Sequence, residues 1–213
     1  MGKITYYCKD DKTKLYLNII DNYACTNNCV FCDKLALEKS IGEDLFLEKK
    51  PGADEILESI KTKTKNAVPN EFIFCGIGEP TIYLDVLLQT IKALKTKYQA
   101  KIRLNTNGQA SLINTGRDVV RELKKSGLDV VSISLNSTTK KEYNKLHRPK
   151  YLKNAFESVL IFIKDCIQVG LETQVTFVEL KGLNKQRATN FLKEKKLEGA
   201  KIRFRKQLNN SFC

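Results

Sequence analysis

An alternation constrains the fold of this chain more than any other feature. Short β-branched runs are followed, repeatedly, by helix-length amphipathic segments. Strands are predicted at Leu15 to Asp21, Glu71 to Cys75, Lys101 to Leu104, Val130 to Leu135, Thr173 to Val178 and Lys201 to Arg205. Between them apolar residues recur at helical spacing, as with Val86, Leu87, Ile91 and Leu94 inside Tyr83 to Tyr98. Further helices are predicted over Thr115 to Lys125, Lys153 to Val169 and Lys185 to Lys196. Gly127 and Gly170 stand where a left-handed residue closes the first two of these. Strands joined through helices pair in parallel, because a parallel pair needs a crossover connection. Right-handed crossovers wrap six such steps into an open barrel or a doubly wound sheet. In either, loops at the C-terminal ends of the strands build the site. One α/β domain over residues 1–213 accommodates all of it, with no internal repeat and no low-complexity linker.

Composition narrows the class. Hydrophobic residues make up 42% and charged residues 29%, the balance of a soluble globular chain. No apolar run approaches the roughly 18–20 residues that cross a bilayer, so no membrane partner is expected. Met1 to Tyr7 holds no apolar core of a secretory signal. The seven cysteines are odd in number, and four of them, Cys8, Cys75, Cys166 and Cys213, are scattered singly. That distribution suits buried small hydrophobes or free thiols in a reducing cytoplasm, and it excludes a disulfide framework. The net charge of +13 raises the prior for an anionic or macromolecular substrate, although lysine-rich composition also arises from a merely solvated face. Within Lys201 to Lys206 a strand would place alternate charges on one face.

Three cysteines fall within eight residues, at Cys25, Cys29 and Cys32, in a C-x3-C-x2-C spacing with Phe31 before the last. Zinc ordinarily takes four ligands, typically from two paired knuckles, and no second pair exists here. Three thiolates suit a 4Fe-4S cluster, which then keeps one iron open to a non-protein ligand. The loop Gly76-Ile77-Gly78-Glu79-Pro80 ends the second predicted strand. Its glycines let a ligand approach the backbone, and Glu79 offers a carboxylate to an ammonium group. Polar residues also close the third and fourth strands: Asn105 and Asn107, then Ser134 and Asn136. Turn formation or capping is the plainer role for these four. Arg148, in His147-Arg148-Pro149, can take a carboxylate bidentately or simply form a surface turn.

Taken together, these motifs resemble the radical S-adenosylmethionine (radical SAM) enzymes. The C-x3-C-x-aromatic-C signature follows the first strand, a G-E-P loop follows the second, and the alternation covers almost the whole chain. The resemblance implies an open, TIM-like partial (β/α)6 barrel with two cofactors, a 4Fe-4S cluster and S-adenosyl-L-methionine. It implies Cys25, Cys29 and Cys32 as cluster ligands, with the fourth iron chelated by the amino and carboxylate groups of S-adenosylmethionine. It also implies Phe31 beside the adenine, and Gly76, Gly78 and Glu79 at the methionine amino group. Asn105 and Asn107 would lie at the methionyl part, Ser134 and Asn136 at the ribose, and Arg148 at the carboxylate. The glycine-rich stretch usual after the fifth strand has no clear counterpart at Val178 to Leu183.

A narrower resemblance is to the TatD-associated radical SAM proteins. It rests on Asp21-Asn22-Tyr23, Phe74 to Thr81, Arg103 to Gly108 and Tyr143 to Lys150. That resemblance implies a functional link to a TatD-type nuclease, and a flavodoxin- or ferredoxin-type electron donor as a partner. The implied chemistry is reductive cleavage of S-adenosylmethionine to a 5′-deoxyadenosyl radical that abstracts a substrate hydrogen. Three other readings stay open: an activating enzyme for a partner protein, a 7-carboxy-7-deazaguanine synthase-like enzyme, and a non-catalytic iron–sulfur module. A partner or a large substrate is expected to close the mouth of so small a barrel.

Overall fold

A computed structural model gives the architecture. It describes residues 2–8, 11–32, 34–151 and 153–207, with backbone alone for residues 34–36 and 40. The elements in order are β1 (Thr5–Cys8), β2 (Asp11–Leu17), α1 (Lys34–Ile41), α2 (Ala53–Lys63), β3 (Glu71–Phe74) and α3 (Leu84–Lys97). Then come β4 (Lys101–Thr106), α4 (Ala110–Ile113), α5 (Val119–Ser126), β5 (Val130–Ser134), α6 (Lys140–His147) and α7 (Ala155–Gln168). The chain continues through β6 (Glu172–Val178), α8 (Lys185–Glu194) and β7 (Lys201–Arg205).

The seven strands form one sheet in sequential order from β1 to β7. Each pair from β2 to β7 is parallel, and β1 alone runs antiparallel, against β2. That order decides between the two architectures left open by the sequence. A doubly wound sheet reverses its strand order at a switch point. Here the order never reverses, so right-handed crossovers place the helices on one face and the sheet curls around the other. The fold is the expected partial (β/α)6 barrel, with an added antiparallel strand at one edge.

Period-two patterning separates the two faces. Leu15, Leu17, Phe72, Phe74, Ile102, Leu104, Val131, Ile133, Val175 and Phe177 are buried toward the helices in the main core. The intervening residues Tyr16, Ile73, Arg103, Ser132, Ser134, Thr176, Arg203 and Arg205 line the barrel interior. Helix α7 shows how the outer layer is held. Ala155, Phe156, Val159, Phe162, Ile163 and Cys166 make one apolar stripe on it, all buried. Each large side chain fully buried there contributes about 1.5–3 kcal/mol.

The boundary of the first predicted strand differs from expectation. The first parallel strand ends at Leu17 rather than Asp21; the Asn18 amide still donates to the Ile4 carbonyl, and its Nδ2 ties the chain to the Lys3 and Leu45 carbonyls. Ile19 and Ile20 remain fully buried, so their apolar signal marks core rather than strand. The scattered cysteines also divide. Cys166 is a buried free thiol as expected, whereas Cys8 is disulfide-bonded. Cys213 lies outside the described residues. No helix among the described residues is long and apolar enough to cross a membrane.

Candidate active site

A cavity of about 370 Å³ opens on the barrel interior at the C-terminal ends of the strands. Its wall is assembled from the loop after β2, the loop after β3, the ends of β4, β5 and β6, and strand β7. Cys25, Cys29 and Cys32 all line it, as do Phe31, Gly76, Gly78, Glu79, Asn105, Asn107 and Ser134. Asn136 and Arg148 lie outside that wall.

The cysteine loop is held by main-chain contacts at both ends. Asn22 and Tyr23 adopt left-handed φ values of 48° and 52°, which turn the chain sharply after β2. The Glu79 amide then donates to the Ala24 carbonyl at 3.0 Å, joining the loop to the glycine loop. On the other side the loop zips onto the end of α6. Asn28 and Val30 amides donate to the carbonyls of His147 (3.0 Å) and Leu146 (2.9 Å), and the Lys150 amide donates to Thr26 (2.7 Å). Arg148 closes α6 in the left-handed region, φ 44°, and is exposed. The His147-Arg148-Pro149 segment is therefore the bracket of the cysteine loop.

Burial pushes the Cys25 thiol up to about 11, with Glu79 adding to the effect, and the Cys29 thiol up to about 12, with Cys25 and Cys32 adding. The three sulfurs do not converge on a single-ion site among the described residues. All three residues line the same cavity.

The glycine loop fits a closely approaching ligand. At Gly78, φ 136°, a Cβ would lie 2.4 Å from Ile20 Cγ2 and 2.7 Å from the Ala24 carbonyl oxygen. At Gly76 it would lie 2.3 Å from Asn18 Oδ1. The loop thus packs tightly at both glycines, which have only main chain to offer the cavity. Glu79 behaves differently from the sequence expectation of a carboxylate offered to an ammonium group. Its Oε1 accepts from the Thr81 amide and from the hydroxyls of Thr81 (2.8 Å) and Thr106 (2.7 Å), and its Oε2 accepts from the Asn107 amide at 2.6 Å. Burial still holds its carboxyl above the ordinary range. The side chain locks the loop to the end of β4.

Among the polar strand ends, Asn105 keeps a buried Oδ1 with no partner among the described residues, at the cavity wall. An orphaned buried acceptor there suits a ligand that brings its own donor. Asn107 instead ties the cysteine loop to β4, because its Nδ2 donates to Thr26 Oγ1 at 2.8 Å. Asn136 turns its side chain onto the protein: its Oδ1 accepts from the Val178 amide at 2.8 Å, its Nδ2 lies 3.4 Å from His147 Nε2, and it sits at φ 54°.

His147 is buried under the site. Its Nε2 faces the Leu135 carbonyl at 3.2 Å. Asn136 Nδ2 also lies 3.4 Å from Nε2, but the carbonyl is nearer and only accepts, so Nε2 is assigned the proton. The Nδ1 lone pair then faces Asn27 Nδ2 at 3.3 Å and Cys29 Sγ at 3.5 Å. Burial pushes the imidazole down to about 4, so it is neutral near pH 7. Tyr143 stacks on it at 4.2 Å and Phe31 packs edge-on at 5.3 Å.

The motifs did not point to Gln109, which is fully buried and donates to Asn27 Oδ1 (2.7 Å) and to Tyr143 (3.1 Å). Nor did they point to the inward polar row Arg103, Ser132 and Thr176. Period-two polarity in otherwise β-branched strands was the available signal for that row.

Comparison with known proteins agrees with this geometry. The family described as Radical SAM superfamily matches residues 19–194. A probable GTP 3′,8-cyclase of Saccharolobus solfataricus is 29% identical over 177 residues, covering 83% of this chain and 51% of that protein. A GTP 3′,8-cyclase of Campylobacter jejuni is 26% identical over 203 residues, covering 92% and 57%. The chain thus spans about half the length of these relatives. Among solved structures, native anSMEcpe with bound AdoMet and Cp18Cys peptide superposes with a TM-score of 0.66 at 18% identity, over 90% of this chain and 50% of that one. Streptococcus suis SuiB bound to precursor peptide SuiA gives 0.60 at 22% identity, over 89% and 40%. These two likenesses concern the fold. The family match covers well over half of the sequence, with a cysteine triad and a glycine loop on one cavity wall, and the chain belongs to the radical SAM superfamily.

Proposed function

We propose that Cys25, Cys29 and Cys32 hold the 4Fe-4S cluster, and that S-adenosylmethionine lies across the cavity between Phe31 and Ser134. The observation that carries this reading is that the three thiols and the Gly76–Glu79 main chain share one wall. When bound, the two cofactors supply a 5′-deoxyadenosyl radical; the protein's work is placement and shielding.

In this reading the main chain of Gly76 and Gly78 receives the methionine amino group, and Asn105 Oδ1 takes a donor from the same cofactor. Phe31 walls off the adenine side. Glu79, Asn107 and Asn136 act through others: they fix the loops that touch the cofactor. Arg148 contributes its turn rather than its guanidinium. His147, neutral and protonated on Nε2, presents no donor to Cys29.

The similarity to GTP 3′,8-cyclases favours a nucleotide-related substrate, and the finer resemblance to the TatD-associated proteins is consistent with it. A flavodoxin- or ferredoxin-type donor would supply the electron, and a macromolecular partner or substrate would cover the mouth. The enzyme is read as cytoplasmic.

The test is anaerobic reconstitution with iron and sulfide, followed by dithionite and S-adenosylmethionine. Wild-type protein is expected to release 5′-deoxyadenosine, and Cys29→Ala to load less iron and release none. Wild-type protein with a verified cluster and no release would overturn the reading.

A further inference from the structure

The barrel interior carries a charge imbalance. Lys14, Arg103, Arg203 and Arg205 line the cavity, against the single carboxylate of Glu79. Two of these cations are already compensated. Arg103 pairs with Glu71 at 2.8 Å, through both Nε and Nη2, and donates to Gln174 at 3.3 Å. Lys14 pairs with Asp11. Glu79, as described above, is spent on four donors of its own.

Arg203 and Arg205 have no hydrogen-bonding or ion-pair partner for their guanidinium groups among the described residues. They stand at alternate positions of β7, opposite Thr176 and Val178 of β6, and both line the cavity. Side chains two apart on a strand emerge on the same face roughly 6–7 Å apart. Arg205 is half-buried, and desolvation works against its charge. Neighbouring Arg203 opposes it further. The pair and the three clustered cysteines thus line one cavity, with the arginines on the last strand of the half-barrel. Arg203 is exposed and Arg205 half-buried, so two like charges side by side at this cavity wall attract an anion.

We infer that Arg203 and Arg205 form a binding site for the phosphate of a phosphorylated substrate, placing the rest of that molecule between β7 and the cysteine wall. Two formal charges are better matched by a phosphate monoester, which carries about −1.5 to −2, than by a single carboxylate. Each guanidinium also presents a planar fork that suits phosphoryl oxygens. This inference rests on the radical SAM reading only for its claim that the anion is substrate.

The test uses the reconstituted full chain with S-adenosylmethionine bound, titrated calorimetrically at low salt with three probes. These are D-ribose 5-phosphate, D-ribonate and D-ribose: a phosphate, a carboxylate and a neutral sugar of similar size. Ribose 5-phosphate is expected to bind at least tenfold more tightly than ribonate, with ribose not detected. Arg205→Gln and Arg203→Gln should each weaken ribose 5-phosphate by about tenfold, and Arg205→Lys by less. Lys201→Gln, on the same strand but outside the cavity, removes the same charge and should change affinity less than twofold. Three results would each overturn the inference. One is equal affinity in wild type and Arg205→Gln; another is ribonate bound as tightly as the phosphate. The third is a larger loss for S-adenosylmethionine than for ribose 5-phosphate in Arg205→Gln, which would give the pair to the cofactor's carboxylate. Phosphate binding that survives in a wild-type protein unable to cleave S-adenosylmethionine would sink the radical reading and leave the anion site standing.

Discussion

At the scale of single residues, the side chains around the cluster loop divide between those that touch the cavity and those that hold it. His147 belongs to the second group. Its Nε2–H satisfies the Leu135 carbonyl, and its Nδ1 accepts from Asn27, which in turn accepts from Gln109. Replacing it with phenylalanine keeps the ring stack on Tyr143 but leaves a buried carbonyl and a buried amide short of a partner. We expect His147→Phe to lose about 1–3 kcal/mol in urea unfolding; an unchanged midpoint would show that the chain of hydrogen bonds carries no weight. Gly78 makes a different kind of demand. A methyl group there meets a carbonyl and an isoleucine at under 3 Å, and its φ of 136° resists any side chain. Gly78→Ala should therefore shift the 76–79 loop and destabilise the fold by roughly 1–3 kcal/mol. Gly52→Ala is the matched control, since its nearest neighbour lies at 3.7 Å.

At the scale of elements, α6 matters more than its eight residues suggest. Its last turn is the strip on which the cysteine loop is zipped, and its first turn is capped by the Thr139 hydroxyl, which accepts from the Glu142 amide at 3.3 Å. Thr139→Ala is expected to cost about 1 kcal/mol. Hydrogen exchange at the Asn28 and Val30 amides should accelerate with it, although both lie more than a hundred positions away in sequence. Unaltered exchange there would mean that the bracket does not depend on α6. This helix was also hard to read from sequence. Lys140 to His147 is strongly polar and buries only Tyr143 and His147, so hydrophobic periodicity has little to register. The strands were legible because burial on the helix side forces alternate β-branched and aromatic residues. Strand β1 was missed because its four residues form a short antiparallel edge pair that no crossover pattern announces. At the site, cysteine spacing and paired glycines were visible because few other arrangements use them. The roles of Glu79, Asn107 and Asn136 were not, because a carboxylate or amide that binds a ligand and one that binds its own backbone read identically in sequence. Tertiary contact alone separates them.

At the scale of the whole molecule, neighbouring strands are coupled by charges along the N-terminal rim of the sheet as well as by the ladder. Glu172 of β6 reaches Lys201 of β7 at 2.9 Å and Lys101 of β4 at 3.5 Å. The hydrogen bond from Lys201, aided by Lys101, holds its carboxyl below the ordinary 4.5. A depressed acid stabilises the fold above its unfolded value, and that contribution is lost as pH falls through the folded one. Glu172→Gln should therefore flatten the decline in stability as pH falls below the ordinary carboxylate range, by no more than about 1 kcal/mol because the partners are solvent-exposed. Parallel urea series on the two proteins would read it; identical slopes would remove the contribution. The sequential strand order has a consequence in time. Each parallel strand finds its partner one crossover later, so the wall can grow in the order in which it is synthesised. The cysteine loop cannot mature on that schedule. Asn27 waits for His147, 120 positions downstream. At ribosomal speeds of about 5–20 residues per second, that leaves the loop unbracketed for on the order of ten seconds. A nascent chain would thus expose its three thiols before it has any pocket to guard them, which makes the moment of metal delivery a matter of translation as much as of affinity.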